Sequence, residues 1–420
     1  MAQSPGIVIV GSNLAGGRAV EELRKQGFDG PITMIGDEPE RPYERPPLSK
    51  EFLRGEQPLE KAFLRPEEWY AEHEIEMLLG VRADRIDLGA RAVELHDGRT
   101  VPFEKLLLVT GGRPRQLSSP GSELDGIHTF RTYEDARALS EQLKPGARVV
   151  VVGAGFIGSE IAASSRTLGC EVTLFEAEAV PLVRALGEQV GQIHGEIHRE
   201  NGVDLHTGIK VEGFEGDSRV RRVLTSEGAF DADVVVVGVG IMPNVELAQE
   251  AGITVSNGID VDELCRTSAP GVFAAGDVAK HPNPYCGESI RVEHWQNAQN
   301  QGAAAARAML DKGEPFVEVP WFWSDQYDLN LQMSGHPLHW DELVFRGDVD
   351  ARKFSAFYLD HGRLVAAVGF NRAKDVRGAR ALIEAGITPP AAVLSDESTD
   401  LRALAKEALA KEKQAEQKQS

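Results

Sequence analysis

Short runs of unbroken apolar residues recur along the 420-residue chain and alternate with longer amphipathic stretches. Residues 6–10, 106–109, 149–152 and 234–237 are β-branched or leucine-rich with no polar interruption. Such runs suit strands covered on both faces, as in a parallel sheet. Residues 17–26 and 160–168 carry helix formers and stop at Gly27 and Gly169, and residues 31–36 and 171–175 then read as second strands. The order strand, glycine-rich turn, helix, strand therefore occurs twice, which predicts two βαβ units. Asp97-Gly98 between residues 93–95 and 100–102 predicts a hairpin, and 106–109 a separate buried strand. Further strands are expected at 75–79, 203–207 and 220–226, with a helical segment around 66–73. Residues 343–346, 354–359 and 364–370 alternate as strands before a helix at 377–385, a small α+β pattern.

The glycines give the turns their chemistry. Gly153, Gly155 and Gly158 follow the 149–152 strand at the spacing that makes a tight turn, a close backbone approach and close helix–strand packing. The helix opening at Phe156 and Ile157 offers free N–H groups to a pyrophosphate. Glu176 ends the next strand, where a carboxylate accepts hydrogen bonds from ribose hydroxyls and repels a 2′-phosphate. None of Ala177, Glu178 and Ala179 is basic, so NAD is expected over NADP. The first unit is less regular: Gly11, Asn13 and Gly16 stand where three glycines should. Asn tolerates left-handed backbone, but its side chain takes up room beside a pyrophosphate. With Leu14 and Ala15 at the helix start and Asp37 and Glu38 after the second strand, dinucleotide binding remains the expectation. A purely structural βαβ unit is the alternative.

Composition narrows the class. A chain of this length makes two or three domains. Hydrophobic residues at 42% and charged residues at 26% are ordinary for a globular protein. No apolar run is long enough to span a membrane, and residues 1–6 show no basic leader motif, so a cytoplasmic location is expected. A net charge of −20 argues against broad nucleic-acid binding. Cys170, Cys265 and Cys286 form no CxxC pair, which disfavours a local dithiol centre and any metal cluster; small buried hydrophobe is the expected role of each.

The stretch Arg41-Pro-Tyr-Glu-Arg-Pro-Pro-Leu-Ser-Lys50 is stiffened by three prolines and ends at what reads as a helix start. With the two fingerprints, the Thr110-Gly-Gly-Arg-Pro114 turn, the Gly238-to-Asn244 segment and the Thr267-to-Asp277 string, it resembles the FAD-dependent NAD(P)H:ferredoxin reductases that serve bacterial oxygenases. The resemblance covers residues 7 to about 390. It implies an α/β protein with two Rossmann-like domains and a C-terminal α+β domain. The FAD domain would comprise 1–113 and 243–320, the NAD domain 114–242 inserted within it, and an interface domain 321–400; residues 401–420, rich in Ala, Lys, Glu and Gln, read by composition as a helix fraying into a flexible tail.

It also implies roles. Lys50 would lie near the flavin ring and pair with Glu160, the candidate catalytic pair. Arg45, Ala83, Thr110, Gly111, Arg131, Gly276 and Asp277 would line the FAD, Asp277 by holding a ribityl hydroxyl. Glu293, His294 and Trp295 would face the isoalloxazine, while Arg184 and Gly240 belong to the nicotinamide side. The implied cofactors are FAD and NAD, and the implied partner is a [2Fe–2S] ferredoxin docked transiently by charge. Seven cations against two acids between Ala351 and Arg380 suggested a docking site for that acidic partner. An apoptosis-inducing-factor-like redox protein shares the domain order and remains an alternative at this point. A thiol-dependent oxidase or disulphide reductase lacks its cysteine near Lys50. Loss of flavin through Asn13 would leave a scaffold.

Overall fold

The computed structural model describes residues 6–419, with side chains to 411; five of the six residues at the expected leader-free start, and the side chains ending the expected tail, lie outside the described residues. The chain divides into two compact units.

The first unit holds residues 1–44, 62–113 and 243–322. Its parallel sheet runs Ile75–Leu78, Ile32–Ile35, Gly6–Val10, Thr100–Leu108, with Val272–Ala274 against the far side of Thr100–Leu108. All of Gly6–Val10 and Ile32–Ile35 is buried, as their unbroken apolar runs require. The hairpin and the apolar strand expected as separate pieces are one nine-residue strand, Thr100–Leu108. Its first half pairs antiparallel with Ala92–Leu95 around Gly98, and its second half joins the parallel sheet. Alternating burial of Val101 and Phe103 bridges the two halves, so one strand serves two sheets of different character. Helix Leu14–Lys25 packs on helix Trp295–Met309 through small residues: a Cβ added to Gly302 would stand 2.3 Å from the Ala15 carbonyl oxygen.

The second unit holds residues 45–61, 114–242 and 323–420. A parallel sheet is ordered Asp204–Thr207, Glu171–Glu176, Arg148–Val152, Val234–Val237, Ile127–Thr129. Val149 to Val152 are buried, each such side chain contributing about 1.5–3 kcal/mol. The C-terminal residues form a five-stranded antiparallel sheet, Trp321–Gln326, Leu329–Gly335, Arg363–Phe370, Lys353–Asp360, Glu342–Asp348, covered by helix Ala373–Glu384. Its first two strands were not read from the pattern, because polar residues interrupt them at Ser324, Asp325 and Gln332. The tail is a helix, Leu401–Gln419, with Leu401 and Ala405 buried, so it starts docked rather than loose.

Four of the seven cations thought to form a docking patch are paired within the chain. Arg352 binds Glu196 and Glu200, Arg372 binds Asp375 and Glu397, Lys374 binds Asp400 and Arg380 binds Glu384. That stretch offers less open positive charge than its composition suggested. Cys170 and Cys265 are buried as expected, but Cys286 is only half-buried.

Candidate functional site

In the first unit the fingerprint turn can be built only from glycine at its ends. Gly11 sits at φ +126°, and a Cβ there would come within 2.3 Å of the Val109 carbonyl oxygen; at Gly16 it would come within 2.2 Å of the Gly11 carbonyl oxygen. Asn13 corrects the sequence expectation. Its backbone is extended at φ −106°, ψ −170°, not left-handed, and its side chain does not project outward. Oδ1 caps helix Leu14–Lys25 by accepting the Gly16 N–H, and Nδ2 donates to the Val109 carbonyl. The asparagine thus replaces the missing glycine by turning inward, and the first helical N–H groups, at Leu14 and Ala15, stay available to an anion. Asp37 is exposed at the end of the second strand, while Glu38 takes the Tyr43 hydroxyl.

The other expected residues of this unit gather at strand ends. The Thr110 hydroxyl donates to the Asn244 carbonyl at 2.7 Å, and the Asn244 side chain returns a bond to Thr110 O at 2.9 Å. The Asn244 N–H binds Gly111 O at 3.0 Å, locking the TGxxP turn to the GxGxxPN segment. Gly276 (φ +74°) donates its N–H to Gln301 Oε1 at 2.8 Å. Gln301 is fully buried and its Nε2 has no partner among the described residues, a donor suited to a bound polar ligand. Asp277 is the middle residue of the 3₁₀ turn Gly276–Val278, which follows strand Val272–Ala274. Arg291 donates to its carbonyl at 3.3 Å and pairs with Glu293. His294 is the N-cap residue and Trp295 the first residue of helix Trp295–Met309, and the His294 ring lies 4.6 Å from that of Phe322. The Ala83 side chain is buried in the apolar core, so only its backbone is open to a ligand.

In the second unit Gly153 (φ +100°) and Gly158 are again sterically required: Cβ atoms there would lie 2.4 Å from Gly238 O and 2.0 Å from Gly153 O. Gly155 is different. A Cβ added to it meets nothing within 4 Å, so the space over the start of helix Phe156–Thr167 is open to a pyrophosphate. Ile157 borders it, 44% exposed, beside Phe156. The Glu176 carboxylate accepts the N–H groups of Ala154 at 2.8 Å and Glu178 at 2.9 Å, which holds it at the turn. Gly240 (φ +97°) accepts the Arg115 N–H at 2.9 Å. The Arg184 side chain is 88% exposed and pairs with Glu178.

Lys50 and Glu160 meet in this unit. The loop does not open an ordinary helix: Leu48–Phe52 is a wide single turn broken at Lys50, whose φ −121° and ψ −107° are non-helical. That backbone turns the lysine inward, 4% exposed, and Nζ reaches Glu160 Oε1 at 2.8 Å and the Pro46 carbonyl at 3.3 Å. Ser49 donates to Glu160 Oε2 at 2.5 Å and Ser324 to Oε1 at 2.7 Å. Burying both charges costs several kcal/mol per ion before their attraction is counted, so stability alone is a poor reason to keep such a pair. Arg45 donates to the Arg131 carbonyl at 2.6 Å, and Asp135 accepts the Arg131 N–H. The cap of helix Tyr133–Ser140 is Thr132, in a capping box with Asp135.

Several residues here had not been anticipated. Ser49 lay inside the quoted loop, but Ser324, Gln326 and His194 in this unit, and Gln301 in the first, carry no local signal; tertiary contact within each unit places them. Cys265 is fully buried with its thiol pushed up to about 12 by desolvation, and Cys170 is raised by the same cause, so neither is a ready thiolate. No metal-binding group of His, Cys, Asp and Glu occurs among the described residues.

Comparison with known proteins agrees with this arrangement. Residues 5–302 match the pyridine nucleotide-disulphide oxidoreductase family, and residues 321–405 the reductase C-terminal family. The chain is 45% identical over 399 residues to the ferredoxin–NAD(+) reductase component of the anthranilate 1,2-dioxygenase system of Burkholderia cepacia, covering 94% of this chain and 98% of that protein. It is 36% identical over 415 residues to putidaredoxin reductase of Pseudomonas putida, covering 97% and 98%. Superposition on the crystal structure of the covalent putidaredoxin reductase–putidaredoxin complex gives a TM-score of 0.93 at 36% identity, over 97% of this chain and 99% of that one. Two glycine-cradled helix starts, acids at the ends of both second strands and kinship over nearly the whole length make this chain a member of the pyridine nucleotide-disulphide oxidoreductases, among the FAD- and NAD-using ferredoxin reductases of oxygenase systems.

Proposed function

We propose that this protein oxidises NADH and delivers the electrons one at a time to a [2Fe–2S] ferredoxin that serves an oxygenase such as a cytochrome P450. The single observation that carries the reading is the buried Lys50–Glu160 pair at 2.8 Å beside a glycine-cradled helix start on the same helix as Glu160. Bound FAD supplies the conversion of a hydride into two separate electrons.

This chain's residues bind, orient and shield. The N–H groups at Leu14 and Ala15, and at Phe156 and Ile157, hold the two pyrophosphates against the positive ends of their helices. Asp37 and Glu38 accept from the ribose of FAD, and Glu176 accepts from the adenosine ribose of NADH. Asp277 accepts from a ribityl hydroxyl, and the Gln301 amide is a donor within the same strand-end cluster. Thr110 and Gly111 shape the turn there; Arg45 and Arg131 add positive charge for FAD phosphate. Lys50 is the cation assigned to the electron-rich reduced ring, with Glu160 setting its direction. Glu293, His294 and Trp295 form the wall that keeps water from the ring. With no helix of the described residues long and apolar enough to cross a membrane, we place the protein in the cytoplasm.

The test is anaerobic cytochrome c reduction by the yellow protein with NADH, with and without an added [2Fe–2S] ferredoxin. Strong dependence on the ferredoxin is expected; equal slow rates would refute the electron-delivery reading.

A further inference from the structure

The Lys50–Glu160 pair is the end of a longer buried chain. Ser324 donates to Glu160 Oε1 at 2.7 Å and itself accepts from Gln326 Nε2 at 3.0 Å. Because the Gln326 amide nitrogen faces Ser324, its Oε1 faces outward, and there it meets His194 Nε2 at 3.1 Å. An amide oxygen only accepts, so the imidazole must donate from Nε2. His194 Nδ1 then has no proton and no partner among the described residues. Ser324 and His194 are fully buried, and Gln326 is 2% exposed. Each donor in the series points toward the next acceptor, and all of them point toward the carboxylate.

We propose that Ser324 and Gln326 are positioning residues of the reductase, which together with His194 form a one-way donor chain that holds the Glu160 carboxylate in place against Lys50. The inference rests on the reading that the Lys50–Glu160 pair serves the flavin. The chain has a physical logic. With its oxygen held by the Gln326 donor, Ser324 cannot turn its hydroxyl proton away from Glu160 without losing a bond. Strand Trp321–Gln326, where the reductase C-terminal family match begins, thereby reaches the electrostatics of the pair.

The charged and titratable groups around the chain come from four elements, with Arg166 on Glu160's own helix acting on Tyr327. Lys50 and Arg54 lie on the proline-rich loop, His194 and His198 on helix Val183–Glu200, and Asp325 and Tyr327 at the C-terminal strand. Burial keeps His194 neutral to about 4 and His198 lower than its ordinary value, and it pushes the Tyr327 hydroxyl up. None of these three therefore changes charge between pH 5 and 9, so a rate difference between variants that persists across that range reflects the hydrogen bonds made to the pair.

The experiment measures anaerobic bleaching of the bound flavin by NADH from pH 5 to 9 in the FAD-loaded full-length protein. Ser324→Ala and Gln326→Leu are compared with wild type. The bleaching rate should fall about tenfold across that range when the charge-assisted donor is lost and the Glu160 carboxylate is no longer held against Lys50. Ser324→Thr should restore it. Independently of turnover, ¹⁵N NMR of ring-labelled wild-type protein should show His194 neutral with its proton on Nε2. Superimposable profiles for Ser324→Ala and wild type, with Glu160→Gln altered, would overturn the donor chain and leave the pair's role standing. If Glu160→Gln and Lys50→Met also match wild type, the reading of the pair itself fails. An Nδ1-protonated His194 would contradict the direction of the chain. Should Gln326→Leu not fold, Ser324→Ala and its threonine rescue decide alone.

Discussion

Acid should loosen the second unit through His194, and the amount follows from its burial. The ring is fully buried, and desolvation holds it at about 4, below the ordinary imidazole value of about 6.5. The unfolded chain therefore binds the proton more readily than the folded one does. Stability from this group is complete above 6.5 and is lost as pH falls through the window from 6.5 to 4. Between pH 7 and pH 5 the loss is about 2 kcal/mol by linkage. For a unit of this size that is roughly 4–8 °C in Tm. His198, displaced in the same direction beside it, adds to the effect. His194→Gln keeps a donor for Gln326 and removes the titration. Thermal unfolding of the FAD-loaded protein at pH 7 and 5, compared between wild type and His194→Gln, isolates the term because other acid-sensitive groups are common to both. Wild type should lose the larger amount. Equal losses in the two proteins would refute the argument that burial holds this imidazole neutral.

Glycine positions separate binding from folding: Gly155→Ala should leave Tm unchanged yet raise KM for NADH roughly tenfold to a hundredfold, because its Cβ enters open space over the helix start. Gly158→Ala, with its Cβ 2.0 Å from Gly153 O, should instead cost about 1–3 kcal/mol of stability, read by urea unfolding. Glu176→Arg should lower kcat/KM for NADH by about ten- to a hundredfold and raise it for NADPH, since a charged acceptor for the ribose is replaced by a partner for a 2′-phosphate; an unchanged NADH:NADPH ratio in steady-state kinetics would count against that role. Lys50→Met should destabilise by about 3–5 kcal/mol, because it leaves the Glu160 carboxylate buried without its cation. Adding Glu160→Gln to it should recover most of that stability in urea melts without recovering flavin reduction by NADH.

The two dinucleotide units could be read from the chain because their requirements are local. A β-branched run, a glycine at a fixed spacing and an acid some twenty residues on are set by backbone sterics within one βαβ unit, so Gly153, Gly155, Gly158 and Glu176 stand where their spacing placed them. Asn13 shows where local reading stops. Type and position were visible, but whether its side chain faces a ligand or folds back depends on Val109, ninety-six residues away. Likewise Lys50 and Glu160 could be paired only through resemblance, and the donor chain's two outer links, Glu160 to Ser324 and Gln326 to His194, span 164 and 132 residues. Composition misled at the C-terminal cations, since charge counts carry no information on which acids from other elements lie beside Arg352 or Arg372. Hydrophobic period and turn sterics act over a few residues and are written in the sequence. Buried polar contacts are chosen by what the folded chain brings within hydrogen-bond reach, and only the tertiary structure decides them.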